Sequence, residues 1–433
     1  MKLGIISLGC AKNLYDSEMI LGILKKNNVE IVNNTKEADV ILINTCGFIE
    51  SAKEEAINTI FEMLELKKKY NKKIVVTGCL VERYFETLKQ EIPEVDLFIP
   101  IRSYNEFGAL FSSTLDVKVD DKALSPTMRL YSTPSHWSYL RIADGCDNRC
   151  TYCAIPLIRK NHRSRQIDDI LVEANEIANR GSKEIVLISQ DTSRFGRDYA
   201  GRCLLPELLE KLAKMNKFKF IRFLYLYPDE IEDELLDVVN KYECITPYFD
   251  VPIQHASSKV LKDMNRRGDK EFLLNLFNKI KTRIPNAILR TTLIVGFPGE
   301  TEEDYNELKE FIQEVKFDRL GVFKYSPEED TLSATYPNQV DEDIKEKRYS
   351  ELMRIQEKIS YNLSKEKIGS IQEVMIEGYD SKLKSYTGRS YAFAPDDVDG
   401  IIYIKTNKNH EIGEIINVKI TNNLVHDLIG EEI

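Results

Sequence analysis

Three cysteines within eight residues constrain this chain more than any other feature. They lie in Asp144-Gly-Cys-Asp-Asn-Arg-Cys-Thr-Tyr-Cys-Ala-Ile-Pro156, where Cys146, Cys150 and Cys153 form a Cys-x3-Cys-x2-Cys run. Thiolates this close on one loop can wrap an iron–sulfur cube and hold three of its four irons. The fourth iron is then left for a small molecule. An electron-transfer cluster takes four cysteines, and a structural zinc site takes a fourth ligand close by. The nearest histidines, His136 and His162, flank the loop but lie outside it. The loop predicts a [4Fe–4S] site open at one corner.

The length of 433 residues gives room for roughly three domains. Apolar and charged fractions of 42% and 30% are those of an ordinary globular protein with a sizeable core. No apolar run approaches the ~18–20 residues of a membrane span, and the opening stretch lacks the cleavage site of a signal peptide. Eight cysteines, six of them patterned, fit metal ligation in a reducing, cytoplasmic setting better than a disulfide framework. A net charge of −10 argues against a generally nucleic-acid-binding surface, while leaving room for one local basic groove.

Residues 1–118 alternate apolar runs with helical patterns. Lys2–Leu8, Val40–Asn44, Lys73–Thr77 and Val95–Ile99 read as buried parallel strands, with helices at Asp16–Asn27 and Ser51–Lys69 between them. This is the pattern of a doubly wound α/β sheet. Cys10, Cys46 and Cys79 each follow one of these strands, so all three fall on the edge where open α/β sheets bind ligands. The alternative is three unrelated buried thiols. Their shared position, each beside a glycine, points to a second three-cysteine cluster with its own open iron.

Residues 119–136, containing Asp120-Asp121-Lys122, Ser125-Pro126 and Pro134, read as a linker. Residues 137–365 then carry a longer βα series, with strands at Ser138–Ala143, Glu184–Ser189, Phe220–Leu224, Tyr248–Pro252, Ile288–Val295 and Leu320–Lys324. Six such units predict a partial (β/α)6 TIM-type barrel with its chemistry at the carboxyl ends of the strands. Those ends carry the cysteine loop, Gln190 and Asp191, Gln254 and His255, and Gly296-Phe-Pro-Gly299-Glu300. For His255 a structural hydrogen bond is as good a reading as a functional one. Cys203 and Cys244 belong to neither trio and read as ordinary free thiols. A helix is expected over Asp341–Lys367, burying Leu352, Ile355, Ile359 and Leu363. Residues 366–433 switch to short strands (Ile371–Ile376, Tyr386–Phe393, Ile401–Ile404, Ile415–Ile420, Val425–Leu428) separated by Gly, Asp and Asn turns, as in a small all-β barrel.

The cysteine loop resembles that of the radical S-adenosylmethionine (SAM) enzymes, and Ser-Leu-Gly-Cys-Ala-Lys-Asn-Leu-Tyr-Asp-Ser-Glu (7–18), Asn-Thr-Cys-Gly-Phe-Ile (44–49) and Thr-Gly-Cys-Leu (77–80) resemble the amino-terminal domain of the methylthiotransferases among them. The resemblance covers nearly the whole chain and makes residues 366–433 a TRAM-like barrel. It implies two [4Fe–4S] clusters, on Cys146, Cys150 and Cys153 and on Cys10, Cys46 and Cys79. SAM would chelate the open iron of the first, be cleaved to a 5′-deoxyadenosyl radical, and also donate a methyl group; the second would present sulfur to the carbon radical. Tyr152 would touch the adenine, Gln190, Asp191 and Gly296, Gly299 and Glu300 would contact SAM, and Arg290 would either neutralise its carboxylate or pair within the barrel. An electron donor and a sulfur donor are implied without being identified. The segments 7–13, 189–196, 248–257 and 388–395 look more like the branch that modifies the β-carbon of an aspartate in small-subunit ribosomal protein twelve than the transfer-RNA branch, which has a Gln-Asn-Val-type stretch in place of Gln190-Asp191-Thr192. Over 366–433 the chain has seven Lys/Arg and twelve Asp/Glu, a charge suited to a basic ribosomal protein and unsuited to tRNA. The rival readings are methylthiolation of adenosine in tRNA and a non-enzymatic iron–sulfur carrier or RNA-binding protein. Lys160 and Asp330 depart from the family pattern, each standing where glycine is common.

Overall fold

The computed structural model describes residues 1–433 except 116, 121, 122, 397 and 398; Asp121 and Lys122 of the expected linker thus lie outside the described residues. The amino-terminal apolar runs form a parallel sheet of β1 (Lys2–Ser7), β2 (Glu30–Ile31), β3 (Val40–Thr45), β4 (Lys73–Gly78) and β5 (Leu97–Ile99), in the order β2-β1-β3-β4-β5. Every residue of β3 is buried, as a strand covered on both faces requires. The two-residue β2 at the sheet's edge gives no periodic signal. The chain leaves β1 to one side and returns as β3 on the other, so the switch point lies between them.

Helix α1 (Ala11–Lys26) begins five residues before the expected start, with Cys10 as its N-cap, and after α2 (Glu50–Tyr70) Cys79 opens α3 (Cys79–Glu91). The early turns of α1 bury Lys12, Asn13, Asp16, Ser17 and Glu18. Polar residues facing inward hide a helix from apolar periodicity.

The second unit contains β6 (Trp137–Arg141), the short antiparallel pair β7 (Ala143–Asp144) and β8 (Arg163–Ser164), then β9 (Glu184–Ile188), β10 (Phe220–Phe223), β11 (Tyr248–Asp250), β12 (Ile288–Val295) and β13 (Arg319–Lys324). β6, β9 and β10 pair in parallel, as do β11, β12 and β13. Backbone bonds from Thr246 N to Ile221 O (2.9 Å) and Leu226 N to Asp250 O (2.9 Å) join the two halves. The result is six strands in sequence order, a partial barrel in which the edge strands β6 and β13 are not paired with each other among the described residues.

A helix over Glu342–Glu366 lies against β13. Its buried stripe runs through Leu352, Gln356, Ser360 and Ser364, one position round from the expected Ile355, Ile359 and Leu363, which are only partly buried. Gln356 Nε2 donates to Phe317 O (2.8 Å), a local demand for a polar group that outweighs the apolar pattern.

The last unit is a closed barrel of β14 (Ile371–Asp380), β15 (Ser385–Arg389), β16 (Ile402–Lys405), β17 (Ile415–Asn423) and β18 (Leu428–Glu432), ordered β14-β15-β16-β18-β17. The expected strand to Phe393 stops at Arg389. Ala392, Phe393 and Ala394 instead leave the sheet and pack into the amino-terminal mouth of the large barrel with Trp137, Phe220, Tyr248 and Ile288. The final strand starts at Leu428 rather than Val425, after a turn closed by Leu424 N donating to Asp427 O (2.9 Å). The strap before β6 has one short 3-10 turn at Pro126–Met128, yet its Arg129 is buried between Glu18 of α1 and Glu173 of the barrel. That ion triad ties the sheet unit to the barrel. No helix among the described residues is long and apolar enough to cross a membrane.

Candidate active site where the sheet meets the barrel

Cys10, Cys46 and Cys79 follow β1, β3 and β4, and the structure brings their loops together. A Cβ added at Gly9, whose φ is +88°, would lie 2.8 Å from Cys46 Cβ, and one at Gly47 would lie 2.7 Å from Leu80 Cα. Only glycine allows these approaches. Asn13 locks the arrangement: its Nδ2 donates to Leu8 O and Thr45 O (both 3.0 Å), and its Oδ1 accepts from Cys79 Sγ (3.3 Å). Cys46 and Cys79 are buried and Cys10 is exposed. Burial pushes the Cys79 thiol up to about 12 and raises Cys46 as well, and the neighbouring thiols add to both shifts. Thiols that hinder one another's ionisation in this way need a cation between them to become thiolates together.

The local trio hangs between β7 and β8. Cys146 N donates to Lys160 O (3.1 Å) and Cys153 N to Cys150 O (3.0 Å). Gln190 clamps the entry to the loop, accepting from Gly145 N (2.8 Å) and donating to Asp144 Oδ1 (2.9 Å). Asp191 accepts from Asn148 Nδ2 (2.6 Å), which lies 3.5 Å from Cys146 Sγ. Burial lifts Cys146 to about 11 and Cys153 further, with Cys150 contributing to both. Tyr152 packs with Phe297 and Tyr325, beside the Gly296–Glu300 turn. Its hydroxyl accepts from Arg266 Nη1 (3.3 Å), which also lies 3.7 Å from Cys150 Sγ, while Arg266 Nη2 donates to Pro252 O (2.6 Å).

The two trios adjoin. The short helix Ile155–Arg159 starts two residues after Cys153, and Ala154 and Ile158 pack directly on Cys79. Arg159, buried at its end, donates to Asn13 Oδ1 (3.1 Å), lies 3.6 Å from Cys79 Sγ, and pairs with Asp16 (2.7 Å) and Asp144 (3.6 Å). One guanidinium thus touches groups next to both trios. Among the described residues no cluster of His, Cys, Asp and Glu closes round a single metal ion. A cube sets a different requirement, since each thiolate binds its own iron.

The remaining expected residues fall in distinct places. Gly296 and Gly299 adopt φ values of +74° and +79° in the turn after β12, and Glu300 shapes that turn by accepting from Gly296 N (2.7 Å) and Phe297 N (3.1 Å). Burial raises Glu300 to about 7, against the pull of Arg348 at 2.7 Å. His255 is buried, its Nδ1 accepting from Ser257 N (2.9 Å), and burial drops it to about 3; its role in the fold is a structural hydrogen bond. Arg290 sits near the start of β12, away from the Gly296 end, and pairs with Asp250 at 2.8 Å. His136 bonds Glu377 and His162 bonds Ser164, each at 3.1 Å. Cys203 and Cys244 pack against the main barrel core. Sequence reasoning missed Asn13, Arg159 and Arg266. The first two had one signal, closeness in sequence to a patterned cysteine; Arg266 had none.

Family models match the chain in three blocks: Uncharacterized protein family UPF0004 over residues 2–100, the Radical SAM superfamily over 140–312 and a TRAM domain over 368–433. The chain is 48% identical to Ribosomal protein uS12 methylthiotransferase RimO of Clostridioides difficile (strain 630), covering 100% of this chain and 98% of the relative. It is 47% identical to the protein of the same name from Alkaliphilus oremlandii (strain OhILAs), covering 100% and 99%. In fold it is similar to the radical S-adenosylmethionine methyltransferase TsrM from Kitasatospora setae, solved with cobalamin and a [4Fe–4S] cluster bound, with a TM-score of 0.57 at 12% identity over 75% of this chain and 76% of that one. Near-complete coverage at such identity settles the family: this chain belongs to the ribosomal protein uS12 methylthiotransferases.

Proposed function

We propose that the protein replaces a hydrogen on the β-carbon of an aspartate in ribosomal protein uS12 with a methylthio group. The observation that carries this reading is the meeting of two cysteine trios at one junction, bridged by Arg159, in a chain of this family. Cys146, Cys150 and Cys153 would hold one [4Fe–4S] cluster, and Cys10, Cys46 and Cys79 a second. A donor set made only of free thiols suits iron–sulfur chemistry and not a hard cation. When bound, the clusters and SAM supply the radical, sulfur and methyl chemistry; the chain supplies position, orientation and exclusion of water.

Gln190 and Asp191 hold the cysteine loop in shape and stay among the proposed SAM contacts. Tyr152 and the Gly296–Gly299 turn, sharing one apolar cluster, remain proposed contacts for SAM, with Glu300 acting through the turn it braces. Arg266 joins them: it is buried beside Cys150 and Tyr152 and forms no ion pair among the described residues. Arg290, engaged by Asp250, takes the pairing role. No general base is proposed, because hydrogen-atom abstraction needs none.

A basic protein substrate draws some support from charge, though less than composition suggests. Within 366–433, Arg389 pairs with Glu184 and Glu377, while Asp396 and Asp399 accept from Tyr139 and Tyr248 of the large barrel. Arg389 and Asp399 are thereby withdrawn from the outer surface and Glu377 partly so, while Asp396 stays exposed. The test is anaerobic reconstitution with iron, sulfide, SAM and a reductant, with uS12 or bulk tRNA as substrate. The expected result is a methylthio group on one uS12 aspartate; a methylthio group on tRNA adenosine alone would overturn the reading.

A further inference from the structure

Lys12 is the second residue of α1 and lies two positions after Cys10. It is only 8% exposed. Its ammonium stands 3.0 Å from the centroid of the Tyr225 ring, and among the described residues it has neither a hydrogen bond nor an ion pair. An ammonium has three donors and no acceptor, so an aromatic face answers part of its charge and none of its hydrogens. Burying a cation without an anion is costly, and chains place carboxylates beside such groups. Arg129 and Arg159, buried in the same region, and the partly buried Arg141 each have at least one.

The surroundings of Lys12 face the reaction and not the core of either unit. Ala11, beside it, belongs to the same apolar cluster as Ile188, at the carboxyl end of β9, and Leu224, just past the end of β10. Tyr225 follows β10 with a φ of +65°, a strained position for a tyrosine, held by its N donating to Asp250 Oδ2 (3.0 Å) and its O accepting from Thr192 N (2.9 Å). The Asp250 carboxylate is itself engaged by Arg290. Lys12 therefore lies over the carboxyl mouth of the barrel, between that mouth and the trio proposed to present sulfur.

We propose that Lys12 receives the side-chain carboxylate of the substrate aspartate and so selects an acidic residue for modification. The inference rests on the reading above. The carboxylate carbon is bonded directly to the β-carbon, so a salt bridge to Lys12 fixes the reacting carbon one bond away, within reach of the Cys10, Cys46 and Cys79 loops. Tyr225 gives the ammonium a resting partner that surrenders it when a carboxylate arrives.

The test compares reconstituted wild type, K12R and K12M for binding of recombinant uS12 and of uS12 with its target aspartate changed to asparagine. Wild type is expected to prefer the aspartate form by about tenfold or more, the worth of a charged hydrogen bond. K12M should bind both forms alike, with K12R between the two, while the iron content and SAM affinity of all three stay equal. Equal discrimination by wild type and K12M would overturn the proposal. So would loss of iron from K12M, which makes Lys12 a counter-charge for the nearby thiolates, or weakened SAM binding, which makes it a cofactor contact. If wild type itself neither binds nor modifies uS12, the functional reading fails first, and this outcome is distinct from the others.

Discussion

Cys146, Cys150 and Cys153 come from eight consecutive residues, whereas Cys10, Cys46 and Cys79 come from three strand ends separated by α1 and α2. The local trio is shaped by hydrogen bonds to its own loop, from Gln190, Asp191 through Asn148, and the Lys160 carbonyl. The distant trio exists only once the sheet has formed, and Asn13 and two close-packed glycines hold its loops in contact. The difference teaches that one site is written as a motif and the other as a topology. Gathering distant groups costs loop-closure entropy that the folded sheet must offset. The second site should therefore answer to sheet stability, and the first to its loop.

Removing either trio gives the largest expected effect and the clearest way to break the comparison. C10A/C46A/C79A should lower iron from about eight to about four per chain. SAM should still be cleaved to 5′-deoxyadenosine, with no methylthio product on uS12. C146A/C150A/C153A should lose the same amount of iron and form no 5′-deoxyadenosine at all. Iron analysis with product chromatography reads both. Equal loss of SAM cleavage from the two variants would mean that the sites do not work separately.

The bridge between the trios comes next. R159M leaves Asp144 without its only ion-pair partner among the described residues and removes the guanidinium bonds to Asn13 and Cys79, at a cost of about 3 kcal/mol in denaturant unfolding. N13A should cost about 2 kcal/mol through the Leu8 and Thr45 carbonyls it leaves unmet. Both should reduce iron at the distant trio more than at the local one. An even loss across the two would show that the junction and not the sheet sets both sites.

How much of this could be read beforehand follows the same division. The cysteine positions and the strands that carry them were legible, because parallel strands are continuous apolar runs and the ligands follow each one. The opening of α1 was not, since Lys12, Asn13 and Asp16 are buried for their polar groups and break the apolar period. Arg266 was invisible because what makes it notable, burial next to Cys150, is set by a loop far along the chain. Ser390–Phe393 read as strand because Tyr391 and Phe393 suit a pleated face. Only the neighbouring barrel mouth decides that they leave the sheet.

Gln190 sharpens the local side of the comparison at a smaller scale. Q190L removes the bonds to Gly145 N and Asp144, and should cost about 1–2 kcal/mol while leaving the Cys10 side untouched. Iron should become labile at the local trio first, read as faster loss of SAM cleavage under chelator.

The smallest expected effect has the opposite sign. Lys160 adopts φ 62° and ψ −152°, a region open to glycine and strained for any other residue, while its carbonyl holds Cys146 N. Among the described residues the side chain reaches only Leu157 O, from an exposed position, so little is lost by removing it. K160G should therefore relieve strain without altering the backbone course, against a small entropic penalty in the unfolded chain. The net expectation is a gain of about 1 kcal/mol, read by denaturant unfolding, with iron content unchanged. A loss of stability would mean that the loop is held by the lysine side chain, and the account of the local trio as a site shaped by backbone hydrogen bonds would have to be rebuilt around it.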